Sequence, residues 1–191
     1  MKILLASKSP RRREILNLLK IPYTVVTIEG LDESYPSDLE ADNVSEYISN
    51  KKADAFLGIL QDDELLITAD TVVICDGKIL GKPKDADDAC KMLRFLSGKT
   101  HKVTTGVTVV TKEKRESFSS ESLVKFADLT ESEIRYYVDT YHPLDKAGAY
   151  GIQEWIGAVA VAKIDGSFYN VMGLPVHRLY QVLKEFPIHL L

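Results

Sequence analysis

The chain has 191 residues, 45% of them apolar and 27% charged, with a net charge of −4. That balance supports a full hydrophobic core in one domain and excludes wholesale disorder or a uniformly basic nucleic-acid-binding face. Two cysteines, Cys75 and Cys90, exclude a disulfide framework and lack metal-ligand spacing, so they read as reduced thiols in a cytoplasmic protein.

The first element is KILLA, Lys2 to Ala6, a short apolar run that reads as a buried strand. It is too short for the apolar core of a signal peptide, and no stretch reaches the roughly 20 apolar residues of a membrane span. Ser9 is placed to cap a helix and Pro10 suits its first position. Ile15, Leu16, Leu18 and Leu19 supply the apolar stripe of that helix, and Pro22 ends it. YTVVTI, Tyr23 to Ile28, reads as a second strand and leads into an acidic loop holding Asp32 and Glu33. Val44, Tyr47, Ile48, Ala55, Phe56 and Ile59 outline a second amphipathic helix. In LLITADTVVICDGKIL, Asp76-Gly77 predicts a hairpin turn between two strands. Ala86 to Leu96 reads as a helix closed by Gly98.

The second half is richer in strand signals. HKVTTGVTVVTKEK and ESFSSESLVKFAD are β-branched runs flanking a charged turn. Thr130 and Glu133 form a capping box that opens a helix through Val138. AVAVAKIDGSFYNVM reads as a further hairpin about Asp165-Gly166, and Pro175 to Phe186 as a closing helix with Val176, Leu179, Tyr180 and Leu183 on one face. The fold class expected is α/β with a mixed sheet flanked by helices, and a parallel-like first half followed by a hairpin-rich second half suggests two lobes with a groove between them. One domain is expected over residues 1–191.

Several residues stand out against this scaffold. In SKSPRRRE, Arg11, Arg12 and Arg13 crowd the first turn of a helix, where the dipole is already positive. Either this is a solvated basic turn, or an anion sits at the helix start among unpaired backbone N–H groups. Lys51 and Lys52 interrupt the apolar stripe after Ile48, so one of them borders the buried side. It either snorkels along the core edge or presents an ammonium to a ligand. Asp70 closes the apolar run LLITA and is costly to bury unpaired, so it belongs at a sheet edge or beside a cation. There it could hold a metal or activate a water, with Glu33 as partner acid; the plainer reading is a turn aspartate. Thr71 adjoins it. Gly81 and Pro83 either hold Lys82 on a short rigid loop or make a plain turn with a surface lysine. Gly148 and Gly151 suit DKAGAYGIQ to a tight loop near a ligand, where Gln153 could read a base edge, or to a merely compact connection. These side chains together suit a triphosphate, a divalent ion and a polar base.

In combination, LLASKSPRRREIL, LDE, KKA, ADT, GKP, LRFLSGKTH, PLDKAGAYGIQ and MGLP resemble the Maf family of nucleoside triphosphate pyrophosphatases, in the right order over nearly the whole chain. The resemblance implies an elongated two-lobed Maf/ITPase-like fold, with a twisted mixed sheet and a central cleft, and hydrolysis between the α and β phosphates, giving a monophosphate and pyrophosphate with Mg²⁺ or Mn²⁺. It makes Asp70 the proton acceptor, Glu33 and Asp70 the metal site, and Ser9, Arg12, Lys52 and Lys82 the phosphate site. Arg11, Thr71 and Gln153 fall at the family's three substrate-choice positions and look like the branch acting on dTTP and UTP, or on modified pyrimidine nucleotides. The 7-methyl-GTP branch carries Trp, Gln and Glu there instead. Glu154-Trp155 departs from relatives that place glycine after the glutamine, which bears on how Gln153 is presented. The resemblance implies neither a nucleic-acid polymer nor a membrane as partner, and a homodimer is compatible with it. The rival reading is a nucleotide-binding regulator of septum formation and cell division that does not depend on turnover.

Overall fold

The computed structural model describes residues 1–188 and 190. The element order is β1 (Lys2–Ala6), α1 (Pro10–Asn17), β2 (Tyr23–Val26), α2 (Ala41–Leu57), β3 (Glu64–Cys75), β4 (Lys78–Leu80), α3 (Ala86–Leu96), β5 (Thr100–Val110), β6 (Arg115–Phe126), α4 (Glu131–Tyr141), α5 (Trp155–Val159), β7 (Val161–Asp165), α6 (Phe168–Met172) and α7 (Val176–Leu183), with a 3-10 turn at Ala147–Ala149. The strands form one mixed seven-stranded sheet in the order β2-β1-β3-β5-β6-β7, with β4 paired to β3. The α/β class and the flanking helices expected from sequence are therefore observed.

The chain resolves into two units. The first is Met1–Asp70, Thr105–Ser120 and Gly173–Leu191; the second is Thr71–Thr104 and Glu121–Met172. In the first, β1 runs parallel to both β2 and β3, with Ala6 opposite Val26 on one side and Thr68 on the other. Its core gathers Ala53, Phe56, Leu60, Leu66 and Val110. Helix α2 lies against β5 through small residues. A Cβ at Gly106 would stand 2.3 Å from the backbone of Ser45 and Glu46, so only glycine admits the helix at this depth. Two buried hydroxyls near that face are satisfied: Ser49 Oγ lies 2.9 Å from Thr108 Oγ1, and Thr68 Oγ1 donates to the Ser49 carbonyl at 2.7 Å.

The second unit has its own core, built by Val73 and Cys75 of β3, Cys90, Leu93 and Leu96 of α3, Phe126 of β6, and Ile134, Tyr137 and Val138 of α4. Fully burying one such leucine is worth about 1.5–3 kcal/mol. The hairpin predicted at Asp76-Gly77 is present, both residues having positive φ (50° and 74°), as a two-residue turn of this kind requires. Helix α3 has its predicted bounds, with Asp85 accepting from the Asp88 N–H at 2.8 Å. The capping box of Thr130 and Glu133 opens α4, which runs to Tyr141, three residues beyond the expected end. Burial raises both free thiols, Cys75 and Cys90, above their ordinary range.

The structure corrects several expectations. Ser9 occupies the N-cap position of α1 with extended backbone, yet its side chain caps nothing; its N–H instead donates to Ser7 Oγ at 3.2 Å. That helix ends at Asn17, and Leu18 is exposed. In α2 the buried face is Val44, Ser45, Ile48, Ser49, Ala53 and Phe56, whereas Tyr47, Ala55 and Ile59 face solvent. The stripe drifts because the close approach at Gly106 selects serines over larger apolar residues. Asp165-Gly166 turns the chain into α6 and not into a return strand. The Ser167 N–H donates to Ser122 Oγ at 3.0 Å, and the buried Asn170 amide donates to the Val103 carbonyl at 3.1 Å, which fixes a helix there. Gly81 has an ordinary φ and open space around it; its carbonyl accepts from the Gly148 N–H at 3.1 Å. No helix among the described residues is long and apolar enough to cross a membrane.

Candidate active site

Parallel pairing in the first unit ends at one level, where Val26 of β2, Ala6 of β1 and Thr68 of β3 lie side by side. Past that level three segments emerge from the same end of the sheet. From β2 comes the loop with Asp32 and Glu33, from β1 the Ser7–Ser9 turn into α1, and from β3 Asp70. Carboxyl ends of parallel strands are where open α/β sheets place ligands. Asp70 itself is not the end of its strand, as the sequence suggested; β3 continues to Cys75, and Asp70 lies in its middle.

Lys52 joins these segments. Its Nζ is 2.8 Å from Asp70 Oδ1 and 3.0 Å from Glu33 Oε1, with the Ala69 carbonyl at 3.4 Å. The Lys52 and Asp70 side chains are only 12% and 14% exposed, so most of their charge is compensated by one another and by Glu33 rather than by water. The neighbouring pair does the same job further out: Lys51 Nζ is 2.7 Å from Asp32 Oδ2, and that bond holds the Asp32 carboxyl well below its usual range. Two consecutive lysines of α2 thus grip two consecutive acids, and the loop between β2 and α2 is anchored over Asp70. The Lys52 ammonium is thus spent on Glu33 and Asp70 at the edge of the core.

Arg12, in the first turn of α1, donates from Nε to the Gly173 carbonyl at 2.8 Å. Burial pulls its guanidinium down from the ordinary value, attraction to Asp70 opposes this, repulsion from Arg11 adds to it, and Glu33 again opposes it. Arg12 therefore shares one field with Asp70 and Glu33. The first turn of α1 contains no acid, so the helix dipole and three arginines add at one spot. Sequence reasoning misses the Gly173 contact, although MGLP is among the motifs that carry the resemblance. Its signal is the glycine itself, at φ 119°.

Among the site residues expected from sequence, Glu33, Lys52 and Asp70 are bonded directly, Arg12 is coupled to them electrostatically, and Ser9 and Arg11 flank Arg12 at the helix start. Thr71, Lys82 and Gln153 belong to the second unit. Lys82 and Gln153 are exposed. The Gly148–Gly81 bond ties the loop bearing Lys82 to the DKAGAYG turn. Beneath that turn His101 Nε2 meets the Tyr150 hydroxyl at 2.7 Å, and burial takes the imidazole down to about 4.

Among the described residues no three His, Cys, Asp or Glu side chains gather as a metal cage. The donor set nevertheless fits a hard divalent cation. Asp70 and Glu33 converge on a single ammonium, and Mg²⁺ commonly takes one or two carboxylates and completes its shell with phosphate oxygens and water.

The fold defines the broad class. The chain is similar to the solved Staphylococcus aureus Ham1 protein, with a TM-score of 0.55 and 16% identity, over 97% of this chain and 99% of that one. The mixed sheet with its flanking helices is thus a Ham1-like α/β fold. The sequence comparisons are narrower: residues 2–186 match the family described as Maf-like protein, and the chain belongs to that family. It is 57% identical over 183 residues to a dTTP/UTP pyrophosphatase of Bacteroides thetaiotaomicron, covering 96% of this chain and 95% of that protein. It is 53% identical over 187 residues to a dTTP/UTP pyrophosphatase of Porphyromonas gingivalis, covering 97% and 94%.

Proposed function

We propose that this protein is a nucleoside triphosphate pyrophosphatase that hydrolyses dTTP and UTP to the monophosphate and pyrophosphate. The observation that carries the reading is the Glu33–Lys52–Asp70 cluster, two acids sharing one ammonium beside Arg12, in a chain more than half identical to a relative so named.

Chemically, attack at the α phosphorus needs a water deprotonated in line with the departing pyrophosphate. Asp70 accepts that proton. Its bond to Lys52 fixes the carboxylate's orientation, and the role assigned to the same ammonium is to offset phosphate charge as substrate arrives. Arg12, aimed by the Gly173 carbonyl, serves the phosphate oxygens through its guanidinium, together with Ser9 and Lys82. Glu33 and Asp70 would hold Mg²⁺ or Mn²⁺, which when bound supplies charge neutralisation between the phosphate oxygens and the carboxylates. Arg11, Thr71 and Gln153 set the preference for a pyrimidine base. A cytoplasmic location and a homodimer fit this reading.

A chain that only binds nucleotide has no use for a carboxylate held against the phosphate-binding cations, so the regulator is the weaker reading. Pyrophosphate release from a panel of nucleoside triphosphates with Mg²⁺ or Mn²⁺ tests the proposal. Turnover is expected to be highest with dTTP and UTP and to fall about 10²–10⁴-fold in Asp70→Asn, the span of a general-base contribution. Full turnover in that variant would remove Asp70 from its role, and no turnover on any nucleotide would return the regulator to first place.

A further inference from the structure

The side chains that surround Gln153 are held in place by a charged cluster that the proposed chemistry leaves unused. Lys146 is buried, its side chain 8% exposed, and its Nζ lies 2.7 Å from Asp145 Oδ1 and 3.2 Å from Glu154 Oε1. The other oxygen of Glu154 accepts from the Tyr137 hydroxyl, and that hydroxyl in turn accepts from the Gly151 N–H at 3.0 Å. A Cβ on Gly151 would stand 3.0 Å from both Lys146 Cε and Glu154 Cδ, so the loop backbone lies directly on the ion pair. On either side of Gln153 the chain is tied down: Ile152 and Ile156 are buried in the core, and Trp155 packs edge-on against Tyr136 of α4 with ring centroids 5.0 Å apart. Gln153 alone in this run is exposed.

We infer that Glu154, clasped between Lys146 and Tyr137, is a positioning residue that aims Gln153 at the base of the substrate, so that base choice is set from the interior of the loop. This rests on the reading of Gln153 as a base-contacting residue. The two bonds of the Glu154 carboxylate fix the backbone next to Gln153, and an amide that must present donor and acceptor together loses selectivity when its backbone drifts.

The test separates the base from the phosphates. In Glu154→Gln, KM for UTP is expected to rise about tenfold with kcat changing far less, and the preference for UTP over CTP to shrink by a similar factor. Inhibition by inorganic tripolyphosphate, which has no base, stays at the wild-type value. Tyr137→Phe moves the same quantities the same way, and Glu154→Asp restores part of the loss. A purely structural clasp would lower thermal stability and leave the KM-to-kcat split and the UTP preference alone; that result overturns the inference, as does tripolyphosphate weakening in step with UTP. If the wild type releases no pyrophosphate from either nucleotide, the functional reading falls by itself. The inference is then judged from binding alone: weaker UTP binding in Glu154→Gln with tripolyphosphate binding unchanged supports it, and no change, or equal weakening of both, overturns it.

Discussion

Lys52 illustrates how one side chain can settle the meaning of others. Without it, Asp70 and Glu33 would be two like charges at one end of the sheet; with its Nζ within 3.0 Å of both, they become a compensated and oriented pair. His101 makes the opposite point, because it is buried for packing and has no charge to offer. It packs edge-on against Phe126 and Tyr150, and its Nδ1 has no hydrogen-bond partner among the described residues. The unfolded imidazole titrates near 6.5 and the folded one at about 4, so between those values the unfolded chain binds more protons. Its contribution is complete above pH 6.5 and is lost as pH falls through 4, amounting to about 3 kcal/mol. Urea unfolding across that window should show the loss in the wild type, and the difference should flatten in His101→Phe.

At the scale of elements, helix α2 determines whether Lys51 and Lys52 reach their acids, and Gly106 determines where α2 lies. Gly106→Ala would force a methyl into the backbone of Ser45 and Glu46 and push the helix off β5. A cost of about 3 kcal/mol, the upper end for an overpacked site, is expected in chemical denaturation. Pyrophosphate release should fall with it, since the displaced helix carries Lys52. The strand containing Asp70 shows the complementary logic. Because β3 runs on past the end of its parallel neighbour β1, whose pairing stops at Thr68, a residue in its middle stands just past that end, and a carboxylate can emerge there without breaking the strand.

For the whole molecule, the acids and the cations bonded to them lie in one unit, while Thr71, Lys82 and Gln153 lie in the other, each unit with a core of its own. Of the roles proposed for them, proton transfer therefore rests on side chains of the first unit alone. Chelation by EDTA is expected to abolish pyrophosphate release, and added Mg²⁺ or Mn²⁺ to restore it, because Glu33 and Asp70 outnumber the one ammonium they share and their remaining negative charge repels the phosphates. Turnover unchanged by chelator would remove the metal from the reading while leaving the cation cluster intact.

Local signals determine much of this molecule. KILLA, the Asp76-Gly77 turn, the helix from Ala86 to Leu96 and the capping box at Thr130 depend on contacts within a few residues, and each is where local chemistry puts it. The family, too, is legible, since its motifs are contiguous strings. The tertiary structure decided everything that depends on distant partners. Only there does Lys52 bridge Glu33 and Asp70, Arg12 lean on Gly173, and Glu154 sit clasped by Lys146 and Tyr137. Only there does Asp165-Gly166 enter a helix, because Ser122 and Val103 hold it. Hydrophobic period and turn chemistry act along the chain, whereas the pairing of a buried charge is a property of space. No window of sequence contains it.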